Sequence, residues 1–484
     1  MNGETRDLGP GGLLEAASAL LQSGYRLALV AGLDDERGLR VNYSFLAPGR
    51  DPVELRVTLD QQTRRGVSLA ALSFPASRFE RELFDLYGID PVGHPQRRPL
   101  VRHAHWPEAY HPMAKGAGPA PTLHPDDGGY PFIAVEGPGV YEIPVGPVHA
   151  GLIEPGHFRF SVVGETILKM KARLWFTHKG IERLIEGKSV EEVARVAERI
   201  SGDSAVAHGL AFTRAVEDAL RITLAPDVEA RRVVALELER LYNHVSDLGA
   251  LANDVGFALA QAKALTLRER LLRLNERVSG HRLLRGVVTV GGARLLDVPH
   301  ADELDEIEER IAELVAMTLG QSIVLDRFTG TGVFTLDAVR ELGVVGVVAR
   351  ASGLDLDARR DHPVSGVTVP QVVVQTNGDV LARYLVRRGE VATSLDLLRA
   401  ATRDGAEPSW TVQGSGAGLG LVEGWRGPVV HRVELLDGRI TRLKIVDPSF
   451  LNWPALAVAL ADTIVPDFPL VNKSFNLSYA GNDL

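Results

Sequence analysis

Apolar residues recur at helical spacing over long stretches of the second half of the chain. Across 227–260, Val234, Leu238, Leu241, Val245 and Leu248 alternate steps of four and three, which places them on one face of a helix. Pro226 and Asp227 stand where that helix would begin, where a missing N–H is tolerated and a carboxylate meets the positive end of the dipole. Thr266-Leu267-Arg268-Glu269 has capping-box spacing, and Gly280 suits the left-handed residue that closes a helix. Leu304, Ile307, Ile311 and Leu314 form another stripe, and the charges between Glu303 and Arg310 read as its solvated face. Long amphipathic helices in succession predict a helical bundle.

The two ends read differently. Residues 12–110 mix a helical start at 13–21 with strand-like runs at 26–31 and 53–59, which predicts a small α+β unit. From about Val367 onward, β-rich pieces at 372–374, 429–436 and 440–445 surround a helix near 378–398, and a polar segment occupies 472–484. Between the halves, 112–139 is rich in glycine and proline and carries Asp126-Asp127-Gly128-Gly129, a composition that forces turns and supplies few apolar anchors. The expected class is α+β, with a first domain over 1–115, a linker over 116–140 and a larger domain over 141–484.

Composition narrows the chemistry. At 484 residues, with 45% apolar and 24% charged, the chain is long enough for several globular domains. A net charge of −9 argues against a nucleic-acid partner, which would require a basic face. Cysteine is absent, so this chain supplies no disulfide, no thiolate nucleophile and no cysteine-held zinc or iron–sulfur cluster. No basic-then-apolar start resembles a signal peptide, and no apolar run approaches the roughly 20 residues needed to cross a bilayer. A cytoplasmic chain, attached to a membrane through partner subunits, is the expectation.

Several motifs have modest readings. Gly414 to Gly420 is glycine-rich, but no Lys-Ser/Thr follows as a phosphate loop requires, so a mobile or tightly packed loop is expected. Val290-Gly291-Gly292 reads as a turn or a close backbone approach. His103, His105, His111, His149 and His157 lack helical metal-ligand spacing and read as structural or surface residues. Glu237-Leu238-Glu239-Arg240 sits on the long helix, where a buried carboxylate could carry a proton, because desolvation raises its pKa.

Resemblance adds what composition leaves open. Phe79-Glu80-Arg81-Glu82-Leu83-Phe84-Asp85-Leu86-Tyr87-Gly88-Ile89, followed by Gly93-His94-Pro95 and Arg97-Arg98, resembles the signature of the 30-kDa subunit of respiratory complex I. The stretch 146–160, from Gly146-Pro147-Val148-His149 to Gly156-His157-Phe158-Arg159-Phe160, resembles the start of the large subunit of group 4 nickel–iron hydrogenases and of the 49-kDa subunit of complex I. His178-Lys179-Gly180-Ile181-Glu182, residues 237–247, Gly280-His281-Arg282-Leu283-Leu284-Arg285-Gly286 and Asp447-Pro448-Ser449 continue the match in order. The fused arrangement resembles the large subunits of formate hydrogenlyase and hydrogenase-4. It implies a small 30-kDa-like α+β domain followed by a large-subunit domain with a long-helix bundle and peripheral β segments.

The departures from that family are as informative as the match. Its two cysteine pairs fall on Ser201 and Ser204, in Arg199-Ile200-Ser201-Gly202-Asp203-Ser204, and on Ser449 and Asn452, in Asp447-Pro448-Ser449-Phe450-Leu451-Asn452. Hard hydroxyl and amide donors do not replace soft thiolates for nickel, so no metal is expected on this chain. Relative to the quinone site of complex I, Gly202 stands at the tyrosine and Pro155 near the histidine, while Asp254 matches the aspartate that partners it. Leu284 and Arg285 stand where complex I carries histidines. The resemblance also implies a proton-passing carboxylate at Glu182, cluster-side arginines at Arg199 and Arg282, and at Arg426 an arginine over the open metal position.

These implications assemble into a subunit of a membrane-associated oxidoreductase, related to hydrogenase-4 and to NADH-quinone oxidoreductase, without nickel. Electrons from a [4Fe–4S] cluster in a small partner subunit would reach a quinone or similar acceptor among Ser201, Ser204, Ser449, Asn452 and Arg426. Antiporter-like membrane subunits and a formate dehydrogenase are the other implied partners. The alternatives are a redox-inert coupling subunit of the same complex and a formate hydrogenlyase-type hydrogenase subunit.

Overall fold

The computed structural model describes residues 3–9, 11–123, 130–151, 153–400 and 412–484. Met1, Asn2, Leu152 of the 146–160 motif and the Asp126–Gly129 part of the glycine-rich stretch lie outside the described residues. The chain opens with β1 (Glu4–Leu8), α1 (Leu13–Gln22), β2 (Arg26–Asp35), β3 (Gly38–Leu46) and β4 (Val53–Leu59). These strands form a sheet in the order β1-β4-β3-β2, antiparallel except for the parallel β1–β4 pair. β2 and β3 are buried along almost their full length because α2 (Phe74–Tyr87) lies against β2. Two short parallel strands, β5 (Arg65–Val67) and β6 (Asp90–Val92), bracket α2 in sequence.

Past the glycine-rich stretch, β7 (Val140–Val145), β8 (His157–Val163) and β9 (Thr166–Arg173) make an antiparallel meander. The bundle follows: α3 (Ile181–Leu184), α4 (Val190–Ala197), α5 (Ala205–Leu220), α6 (Pro226–Asp254), α7 (Ala258–Ser279), the hairpin β10 (Val288–Thr289) and β11 (Gly292–Ala293), and α8 (Ala301–Leu319). Then come α9 (Ser322–Phe328), α10 (Leu336–Leu342), α11 (Gly346–Ala351), α12 (Ala358–Asp361) and α13 (Val380–Arg399). A second antiparallel meander, β12 (Gly416–Glu423), β13 (Pro428–Leu436) and β14 (Arg439–Val446), leads into α14 (Pro448–Ala459). A 3-10 turn (Val465–Asp467), α15 (Phe468–Phe475) and α16 (Tyr479–Asp483) complete the described chain.

The apolar stripe predicted on 227–260 is buried throughout: Val234, Leu238, Leu241, Val245 and Leu248 all face the core. The helix itself is shorter than expected. It ends at Asp254, and Gly256 at φ 86° turns the chain into α7. Thr266 and Glu269 lie inside α7 and start nothing, with the Thr266 hydroxyl donating back to the Ala262 carbonyl. Residues 372–374 form no strand, because no neighbour offers a ladder, and Val373 lies against Gly389 of α13 instead.

The glycine-rich run at 414–420 is not a loop but mostly strand β12. A Cβ on Gly416, Gly418 or Gly420 would meet main-chain atoms of α5 at 2.3 Å or closer. Glycine at alternate positions presents one bare face of the strand, and α5 packs its backbone onto it. The polar tail is buried at its end: Asn482 and Asp483 are covered, with Asp483 accepting from Thr177 and Asn482 accepting from Arg78.

The first sheet and the later elements share one apolar core, in which the Phe79 and Phe450 rings stand 4.8 Å apart. Arg432 of β13 pairs with Glu54 of β4, and Lys444 of β14 donates to Glu82 of α2 at 2.6 Å. This packing fixes the position of the loops described next.

Candidate functional site

Four chain segments converge where the resemblance places a metal: the loop 199–204 entering α5, the turn 424–427 between β12 and β13, the first turn of α14, and 476–478 between α15 and α16. Ser201 donates its hydroxyl proton to Asp203 Oδ1 at 2.9 Å and lies 2.8 Å from the Ser478 hydroxyl. The Ser478 N–H donates to Ser449 Oγ at 2.9 Å. One hydrogen-bonded chain therefore joins the two serine-bearing loops. Ser449 stands on α14 because Asp447 caps that helix, accepting the Ser449 N–H at 2.7 Å.

Arg426 closes the pocket. Its Nη1 and Nη2 donate to Asp203 Oδ1 and Oδ2 at 2.7 and 2.6 Å, and Nη1 lies 3.3 Å from Ser204 Oγ. The guanidinium also covers the Trp425 ring at 3.9 Å from its centre, while the Trp425 indole N–H donates to the Asp203 carbonyl at 2.9 Å. Burial would raise the Asp203 carboxyl, but the Arg426 charge and the Ser201 hydroxyl outweigh it and hold the group below the usual carboxylate range. Asn452 is used elsewhere: its amide accepts from the Val345 N–H at 2.9 Å and donates to the Val345 carbonyl at 3.0 Å.

This donor set does not fit the nickel–iron centre of the resembling hydrogenases. The hydroxyls are engaged in hydrogen bonds, the amide clamps a peptide, and a guanidinium lies against Ser204. Hydroxyl and amide oxygens are hard ligands for a metal that the family holds with soft thiolates. Among the described residues, no three His, Asp or Glu side chains gather into a metal-holding group.

Glu182 lies apart from these contacts, in a buried charge cluster between α3, β14 and α2. It accepts from Arg442 at 2.7 Å and from the Ile445 N–H at 3.0 Å, and its Oε1 stands 3.2 Å from Lys444. Burial pushes its pKa up, yet Arg442 and Lys444 prevail and set it at about 2. A cavity of about 540 Å³ opens beside this cluster, walled by Leu86, Trp106, Tyr110, Met113, Trp175 and Ile181.

Asp254 does not join the serine pocket by any described hydrogen bond. It ends α6, where burial raises its pKa and Lys473 opposes the rise. Asp247, two turns earlier and about 10 Å back along the axis, is the α6 carboxylate that reaches the site. It accepts from Asn476 at 2.7 Å and from Arg387 at 2.8 Å, and the Asn476 carbonyl in turn accepts from Arg426. Arg199 and Arg282 stand on the surface: Arg199 is half exposed near Glu198, and Arg282 pairs with Glu269 of α7 at 2.6 Å.

The chain matches two family models, the 30-kDa subunit of respiratory-chain NADH dehydrogenase over residues 8–120 and the 49-kDa subunit over residues 254–415. It is 32% identical to hydrogenase-4 component G of Escherichia coli over 475 residues, spanning 93% of this chain and 82% of that protein. It belongs to the complex I and group 4 hydrogenase large-subunit family. Formate hydrogenlyase subunit 5 of the same organism is also 32% identical, over 84% of this chain and 74% of its own length. Among solved structures, a chain of a membrane-bound sulfane sulfur reductase, an archaeal respiratory membrane complex, shares the fold with a TM-score of 0.65 at 23% identity, over 72% of this chain and 99% of that one. No helix of the described residues is long and apolar enough to cross a membrane.

Sequence reasoning missed Asp203, although it lies between the two serines of the first motif. The signal was available: a buried arginine such as Arg426 needs an anion, and Asp203 is the carboxylate inside that motif. Trp425 and Ser478 carried no comparable mark.

Proposed function

We propose that this chain is a subunit of a membrane-associated complex related to complex I and hydrogenase-4, and that it works there without a nickel–iron centre as a coupling element. The observation that carries this reading is the Asp203–Arg426 ion pair, closing a pocket in which Ser201 and Ser449 are linked through Ser478 and Asn452 clamps the Val345 peptide. A pocket filled by an ion pair leaves little room for a substrate, which favours a part in a rigid-body change of shape between subunits over chemistry at this place. In this reading the chain docks on a small subunit that carries a [4Fe–4S] cluster, with Arg199 and Arg282 on the docking face. It is held at the inner face of the membrane by antiporter-like subunits, and a formate dehydrogenase is the third partner class.

A second reading, electron transfer from that partner cluster to a quinone-type acceptor, is favoured by the aromatic-walled cavity beside Glu182. Glu182 in that case positions its surroundings as a fixed anion, because two cations hold it ionised.

The assembled complex separates the readings. Metal analysis should find less than a tenth of an equivalent of nickel, and a stoichiometric amount would overturn the argument from the ligands. With Arg426→Ala, coupling requires a lower yield of complex but turnover per assembled complex within twofold of the parent. A more than tenfold fall in turnover with assembly intact would instead put an acceptor among the serines.

A further inference from the structure

Beneath the serine pocket lies a chain of three side chains that the function above does not use. His208 of α5 places Nε2 3.0 Å from Asp447 Oδ2 and Nδ1 3.0 Å from His431 Nε2. All three residues are buried, with exposures of 0% for both histidines and 1% for Asp447. Nδ1 of His431 is buried and, among the described residues, has no hydrogen-bond partner.

The proton positions follow from what each atom can do. Asp447 is ionised, since its Oδ1 accepts the Ser449 N–H and its pKa is lowered. Nε2 of His208 must then carry the hydrogen that faces Oδ2. In the neutral ring, Nδ1 of His208 is an acceptor and takes its hydrogen from Nε2 of His431. That leaves a bare lone pair on Nδ1 of His431, pointing at no donor. Burial strongly disfavours a charge on His431, which has no anion against it. His208 has one, because Asp447 stands at hydrogen-bond distance.

We propose that Asp447, His208 and His431 form a buried store for a single proton, loaded at Nδ1 of His431 and held on His208. Loading breaks an O–H bond of a hydronium ion from the solvent and forms an N–H bond on His431 Nδ1, while the Nε2–H bond of the same ring breaks. The released proton forms an N–H bond on Nδ1 of His208. His208 ends as an imidazolium paired with Asp447, and His431 ends neutral with its hydrogen moved from Nε2 to Nδ1. One proton enters, charge increases by one, and no electron moves.

From the β12–β13 turn, Arg426 acts on Asp447 but is committed to Asp203. From α6, Glu239 accepts the Val206 and Ala207 N–H groups that start α5. From α16, Gly481 lies directly against the Asp447 carboxylate, so no side chain intrudes there. Because Asp447 also caps α14, the state of the store acts two residues from Ser449.

The test is nitrogen-15 spectroscopy of the full-length chain labelled at histidine. The pair identifies itself in the parent protein by coupling across its N–H···N hydrogen bond, and His208→Gln and His431→Gln supply an independent assignment. Near neutral pH both rings should carry hydrogen on Nε2. On acidification His208 should become doubly protonated while His431 switches to the Nδ1–H form, and Asp447→Asn should weaken this uptake at least tenfold. Retention of the Nε2–H form by His431 down to acid unfolding would overturn the proposal, as would uptake indifferent to Asp447→Asn. The nickel and turnover measurements above are unaffected by either result.

Discussion

Arg426 grips Asp203 through two parallel hydrogen bonds, and the two partners differ in exposure: the arginine side chain is 6% exposed, the aspartate 40%. Removing either residue therefore has unequal consequences. Asp203→Ala strands a buried guanidinium and should cost about 3 kcal/mol or more. Arg426→Ala leaves a carboxylate that water can reach and should cost about 1–2 kcal/mol, part of it from lost stacking on Trp425. Denaturant titration of the two single variants and the double variant checks this order, and the double should fall below the sum of the singles. Equal costs would mean that the pair is not the buried clamp described.

Glu182 gives a pH dependence with a definite sign. Its folded pKa of about 2 lies below the ordinary value of 4.5, so the ionised form favours the fold. That stabilisation, of the order of 3 kcal/mol, is complete above about pH 4.5 and is lost as pH falls towards about 2. Glu182→Gln should therefore be less stable than the parent at pH 7 by a similar amount. The gap should narrow steadily across the acid window. Unfolding curves at successive pH values check it, and a gap that stays constant would show that the Arg442 and Lys444 contacts do not titrate Glu182.

Much of the architecture is readable from spacing alone, and the rest escapes it for two reasons. The stripes on α6 and α8 and the strands around 26–31, 53–59, 429–436 and 440–445 match because apolar periodicity reports burial directly. The same pattern called Glu237 to Arg240 undecided, and these charges are buried. Glu237 meets Arg240 and Arg359, and Arg240 reaches Glu390. Periodicity cannot reveal a polar face that is covered, since pairing with distant residues is what makes the burial tolerable. The polar tail at 472–484 is buried in the same way at its end, and the glycines of β12 escape the pattern because they pack by having no side chain. The serine positions came from resemblance, and the partner that fills their pocket came only from geometry.

Glu239 behaves oppositely to Glu182. It is fully buried at the start of α5, where burial lifts its pKa to about 8 and the N–H groups of Val206 and Ala207 only partly oppose the rise. A raised carboxyl binds its proton more tightly in the folded state, so the fold loses stability as pH rises from about 4.5 towards about 8. Glu239→Gln cannot ionise and should flatten that slope. Melting temperatures between pH 5 and pH 9, on which one kcal/mol moves a chain of this length by about 2 °C or less, would show it, and parallel curves for the two proteins would refute it.

Gly418 and Gly202 separate close packing from open space. A Cβ on Gly418 would stand 2.3 Å from both the carbonyl oxygen of Ala215 and the nitrogen of Ala219, main-chain atoms of α5 that cannot swing aside. Gly418→Ala must lift the helix from the strand and should cost about 3 kcal/mol or more. Because α5 follows directly on Ser204 and carries His208, the serine network should loosen with it. Gly202 lies in the pocket loop itself, yet no atom of the described residues stands within 4 Å of the position a Cβ would take. Gly202→Ala should stay within about 0.5 kcal/mol of the parent. Chemical denaturation ranks the two, and an equally stable Gly418→Ala would mean that α5 does not rest on the bare face of β12.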